Sequence, residues 1–130
     1  MVARSPEAWW PLFRQAIAAG DVEAALRLYE PAAAFANAAG LVRLGRADLR
    51  RELEPMAEAA ADFRVTVRKI IQSGDLALLQ SEWSVERPAP GWGYALEVLR
   101  RQADGRWLLA IGDPFTIGQW FQSRHSARPH

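Results

Sequence analysis

The sequence predicts an α+β fold: a cone-shaped half-barrel in which a curved, mostly antiparallel sheet wraps around N-terminal helices. Three observations predict it. Apolar residues recur at helical spacing through the first third of the chain, and the pattern changes to a period of two from Phe63 onward. The dipeptide Asp104-Gly105 then stands between two apolar runs, a strong signal for a hairpin. Helices followed by long alternating strands give a layer of helices on one face of a sheet.

The elements follow in order. Ser5-Pro6-Glu7 suits a helix start, with Ser as cap, Pro pre-setting φ and Glu at the positive end. Trp9, Leu12, Phe13, Ala16 and Ile17 then form one apolar stripe. Gly20 ends this helix and Asp21 caps a short second one, Val22 to Tyr29, which Pro31 stops. Ala34 to Asn37 and Leu41 to Leu44 read as two short extended pieces around a turn at Ala39-Gly40. A third helix runs from Arg46 to about Glu54, where Pro55 breaks or kinks it and Met56 to Ala61 can add a turn. Phe63 to Ile71 and Leu76 to Val85 are strands joined at Ser73-Gly74-Asp75. Tyr94–Arg101 and Trp107–Phe115 form the central hairpin through a two-residue Asp104-Gly105 turn.

Composition bounds the function. The 130 residues suit one domain over positions 1–118, followed by a tail over 119–130 without clear periodicity. Net charge is +1 with both signs interspersed, so no basic stripe exists for nucleic acid. The absence of cysteine removes disulfides, a thiol nucleophile and thiolate metal ligands. No apolar run is long enough to span a membrane, and the N-terminus lacks a signal core, so a cytoplasmic address is expected. His125 and His130 lie in the tail without carboxylates at ligand spacing, so no metal and no cofactor is expected.

Strand alternation singles out Glu97. It shares a face with Ala95 and Leu99, while Tyr94, Leu96, Val98 and Arg100 share the other. It is either a structural acid paired with an arginine or a desolvated carboxyl inside the cone, its pKa raised by burial. Asn37 is either a turn residue or a pocket residue offering both donor and acceptor. Trp83 alternates with Ala77, Leu79 and Ser81 on the helix-facing side, where a tryptophan can fill the core and line a cavity together. Phe13, Phe35 and Met56 are core residues, which in a cone are also its wall. Asp113 reads as a pocket-mouth acid, an interface hydrogen-bonding group or a strand-end turn former, the last two favoured.

Several spaced landmarks carry a resemblance. They are Gly20-Asp21, Leu28 to Phe35, the Gly45-Arg46 helix start, Ser73-Gly74-Asp75 and Asp104-Gly105-Arg106-Trp107. Over about residues 5–117 the chain resembles the nuclear-transport-factor-two-like superfamily, in its SnoaL-like and ketosteroid-isomerase-like branches. The resemblance implies the cone fold, which hosts isomerases, cyclases, dehydratases and non-catalytic modules alike. In ketosteroid isomerase an Asp base faces an oxyanion hole of Tyr and a protonated Asp. By resemblance the base falls on Asn37, the tyrosine on Phe13 and the buried acid on Glu97. Asn cannot abstract a proton and Phe cannot donate one, so that mechanism is not carried over intact.

The expected function is binding of a small, mainly apolar organic ligand in the cone. Glu97 and Asn37 are the polar contacts, and Phe13, Phe35, Met56 and Trp83 the walls. Any catalysis is cofactor-free acid/base chemistry at Glu97, of isomerase, cyclase or dehydratase type. The alternative is a non-catalytic dimeric assembly module whose cone is filled by its own side chains. In either case apolar residues on the convex sheet face predict a homodimer through that face.

Overall fold

A computed structural model describes residues 1–87 and 89–114. After a single 3₁₀ turn at Pro6–Ala8, the chain forms α1 (Trp9–Ala18), α2 (Val22–Leu26), β1 (Tyr29–Ala36), β2 (Val42–Leu44) and α3 (Gly45–Glu58). Four long strands follow: β3 (Phe63–Ser73), β4 (Leu76–Val85), β5 (Gly91–Arg101) and β6 (Trp107–Asp113). The six strands make one curved, unclosed sheet in the order β2-β1-β6-β5-β4-β3, with the helices on its concave side. The fold is the α+β half-barrel that the sequence predicts. All neighbours run antiparallel except β1 and β6, which are parallel. The expected tail over 119–130, with His125, His130 and the end of the hairpin at Phe115, lies outside the described residues.

Alternation decides which side chains enter the core. Ala77, Leu79, Ser81 and Trp83 of β4 are buried, as are Gly93, Ala95, Glu97 and Leu99 of β5. Against them lie Trp9, Phe13, Ala16 and Ile17 of α1 and Leu49, Leu53 and Ala57 of α3. Trp9 stacks on Phe13 with ring centroids 5.1 Å apart, and Phe13 continues through Phe63 to Trp83 at 6.0 and 6.1 Å. The stack ties the first helix to the far side of the sheet. Asp21 caps α2 as expected, its Oδ1 accepting from the Ala24 amide at 3.0 Å. Ser5 makes no side-chain cap; the turn it opens is 3₁₀ before α1 begins.

Four expectations need correction. The second helix ends at Leu26, and Tyr29 and Pro31 belong to β1. Pro31 is accommodated because the β1–β6 register shifts between Tyr29 and Ala34, where no ladder amide is required of it. Pro55 does not interrupt α3, which runs unbroken to Glu58 with Leu49, Leu53 and Ala57 buried on one side. The central hairpin closes with a three-residue loop, Ala103 to Gly105, not a two-residue one. Gln102 donates to the Arg106 carbonyl and Gly105 to that of Gln102, and only Gly105 has positive φ, 88°. That is a type I turn ending in a left-handed residue, whereas the primed turn needs positive φ at both centres. The genuine two-residue turn is Gly74-Asp75, between the paired Ser73 and Leu76.

Candidate functional site

A cavity of about 250 Å³ lies between the helices and the concave face of the sheet. Phe13, Phe35, Met56, Trp83 and Glu97, five of the six candidates named from the sequence, line it. Trp9, Trp10, Tyr29, Leu53 and Phe63 complete most of the wall. Asn37 is not among the lining residues, and this corrects its expected ligand contact. Its Oδ1 accepts from the Ala39 and Leu41 amides at 3.0 Å each, so the side chain holds the β1–β2 turn together. Asp113 lines the cavity at the end of β6, the pocket-edge position and the less favoured of its three readings.

A glycine on β5, Gly93, makes room for the Trp83 indole. A β-carbon at Gly93 would lie 3.0 Å from that ring. With the strand bare at this point, the indole lies across it and its Nε1 donates to the Pro114 carbonyl at 2.8 Å.

Glu97 sits at the floor and is 3% exposed. No arginine among the described residues forms an ion pair with it. Trp10 Nε1 and Ser81 Oγ both donate to Oε1, at 2.8 Å each. Oε2 has no hydrogen-bond partner among the described residues. Burial pushes the Glu97 pKa up to about 7, against the two hydrogen bonds, which lower it. Because both donors occupy Oε1, the proton of the neutral acid belongs on Oε2. Tyr29, 7% exposed, brings a hydroxyl to the same wall that likewise has no partner. Burial, and then the charge of Glu97, hold its pKa far above the tyrosine range, so it remains a phenol.

The sequence pointed to Glu97 but not to what surrounds it. Trp10 lies 87 residues away in the chain, one position beyond the Trp9 of the apolar stripe. That spacing turns the two indoles apart: Trp9 Nε1 donates to the Leu28 carbonyl at 2.8 Å while Trp10 reaches Glu97. Among the described residues no group of His, Asp and Glu gathers closely enough to hold a metal ion, and no helix is long and apolar enough to cross a membrane.

The chain can now be set beside known proteins. The family model for the SnoaL-like domain matches residues 12–109. No curated protein sequence matches significantly. Among solved structures, a candidate calcium/calmodulin-dependent protein kinase type II association domain from Thiobacillus denitrificans superposes with a TM-score of 0.72 at 21% identity, covering 89% of this chain and 99% of that one. A candidate dehydratase of the NTF2-like family from Streptomyces avermitilis gives 0.65 at 18%, covering 82% and 89%. A ketosteroid isomerase-like protein from Erwinia carotovora gives 0.63 at 20%, also covering 82% and 89%.

Proposed function

The chain belongs to the SnoaL-like domain family, and from that premise we propose that its cavity binds a small, mainly apolar organic molecule whose polar atom rests against Glu97. One observation carries this reading: a buried carboxyl presents an unpartnered oxygen to an otherwise largely apolar cavity. An oxygen open to the cavity and not used by the fold is free to accept from or donate to a ligand atom. The volume suits one or two rings, since an apolar cavity of about 150 Å³ already admits benzene.

The same carboxyl supports proton transfer. With a pKa of about 7, acid and base forms are both populated near neutral pH, the condition for efficient general acid/base catalysis. Oε2 donates in one form and accepts in the other, and the Tyr29 phenol adds a second donor. Isomerisation, cyclisation or dehydration needs nothing further from the chain. Structural neighbours named as dehydratase and ketosteroid isomerase-like agree with this reading. The test is calorimetric titration with 2-acetylnaphthalene, whose ketone is a single acceptor on an apolar frame. Glu97→Gln should keep a cooperative thermal melt, which shows that the fold is intact, and weaken binding by about 1–3 kcal/mol. Equal affinity for both proteins removes Glu97 from the site.

The convex face favours an accompanying proposal, a homodimer formed through it, compatible with ligand binding or with an assembly role alone. Ile71 and Ile111 are 51% and 52% exposed there, beside the outward Leu78, Leu96 and Val98. Light scattering at micromolar concentration should give twice 14.5 kDa; a mass of 14.5 kDa itself overturns the dimer.

A further inference from the structure

We propose that the molecule this cavity takes is a small amine, bound as its ammonium ion between the Glu97 carboxyl and the aromatic wall. The inference rests on the cavity being a binding site and adds the ligand's charge.

The sign of the wall argues for it. Glu52 from α3, Glu97 from β5 and Asp113 from β6 are its ionisable acids, and among the described lining residues there is no lysine, arginine or histidine. Two arginines on neighbouring elements are turned to backbone: Arg14 donates to the Phe63 carbonyl, and Arg46 to those of Leu26 and Tyr29. Glu52 is half-buried and forms no salt bridge. Among the described lining residues, an anionic ligand would meet Glu52 and Glu97 with no cation beside them.

The aromatic rings point the same way. Trp9, Trp10, Phe13, Tyr29 and Trp83 line the space, and ring faces carry negative potential that attracts a desolvated cation. Glu97 Oε2 has no partner among the described residues, and an ammonium group brings three donors that it can accept from. Burying an ion pair usually costs the desolvation of both members. Here Glu97 is desolvated already on folding, and Trp10 and Ser81 already support its charged form.

Titration calorimetry of the full chain at pH 7 with 1-naphthylmethylamine, 1-naphthylmethanol and 1-naphthoate tests this on one skeleton. The amine should bind at least tenfold tighter than the alcohol, and the naphthoate not measurably. Repeated in buffers of different ionisation enthalpy, amine binding should release about half a proton, because Glu97 ionises as the cation arrives. Glu97→Gln should bring the amine to the alcohol's affinity; the proton release is read on the unaltered chain and stands if that variant fails to fold. An alcohol that binds as well as the amine, or a naphthoate that binds best, overturns the inference and leaves the proposed function standing. If none of the three binds, nor the ketone, both fall.

Discussion

Two glutamates on neighbouring strands, Glu82 and Glu97, are buried on opposite faces of one sheet. They are 8% and 3% exposed. Glu82, on the convex face opposite Tyr94, accepts from Arg68 across the β3–β4 ladder, its Nε at 3.2 Å. Glu97, on the concave face, has only neutral donors, an indole and a hydroxyl. A guanidinium brings a full opposite charge to a carboxylate; neutral dipoles stabilise the anion only in part, and at Glu97 burial outweighs them. The difference separates an acid that holds two strands together from one whose proton is easily moved. It also explains why burial alone does not mark a functional acid: the kind of partner decides.

The comparison breaks most visibly in the pH dependence of stability. The folded pKa of Glu97, about 7, exceeds its ordinary value of 4.5. Between those values the folded chain keeps a proton that the unfolded chain releases, so stability falls as pH rises. The contribution is complete below pH 4.5 and lost by about pH 7, a decline of about 3 kcal/mol. Glu97→Gln cannot titrate and should remove this decline. Urea unfolding at pH 5, 6, 7 and 8, taken as the difference between the two proteins, isolates it from the other carboxylates. A difference that stays constant over that range would mean that Glu97 is not held in a raised state.

A second substitution tests the Glu82 side of the comparison. Arg68→Met keeps much of the aliphatic stem but removes the guanidinium that Glu82 accepts from. Arg68 is 62% exposed, so solvent screening limits the loss to about 1–2 kcal/mol at pH 8. Salt screens this pair, so the loss should shrink between low salt and about 1 M salt. A loss that salt leaves unchanged would assign Arg68 a packing role alone.

How much of this was legible in the sequence follows from how far each determinant reaches. Period-two alternation is local, and it placed Ala95, Glu97 and Leu99 on the concave face correctly. The donors of Glu97 depend on α1 packing across the sheet and on a diagonal contact from β4, and no local period reports either. Asn37 left two readings open because turn and pocket use the same amide; the turn wins since its partners are two and four residues away. Tyr29 shows a helical signal overridden by sheet pairing. Its spacing from Val22, Ala25 and Leu26 suits a helix, yet it pairs in register with Leu109 of β6. Asp104-Gly105 announced a hairpin without fixing the loop length, because a lone left-handed glycine serves the longer loop equally well.

The finest test concerns Ser81, which joins the two faces of the comparison because its neighbour in sequence is Glu82. Ser81 is 2% exposed and sits opposite Val67 and Ala95, so an alanine there meets apolar neighbours and packs without strain. The substitution removes one of two donors to Glu97 Oε1 and nothing else. That hydrogen bond lowers the Glu97 pKa, so Ser81→Ala should raise it further and move the pH-dependent decline of stability upward. The cost should be about 1 kcal/mol at pH 8, where the carboxylate most needs the donor, and smaller at pH 5, where the neutral acid accepts more weakly. Trp10 keeps its bond in the variant, so the anion retains one donor and the effect stays below that of removing the carboxyl. A decline that moves downward, or a cost larger at pH 5 than at pH 8, would mean that the hydroxyl serves the strand and not the acid.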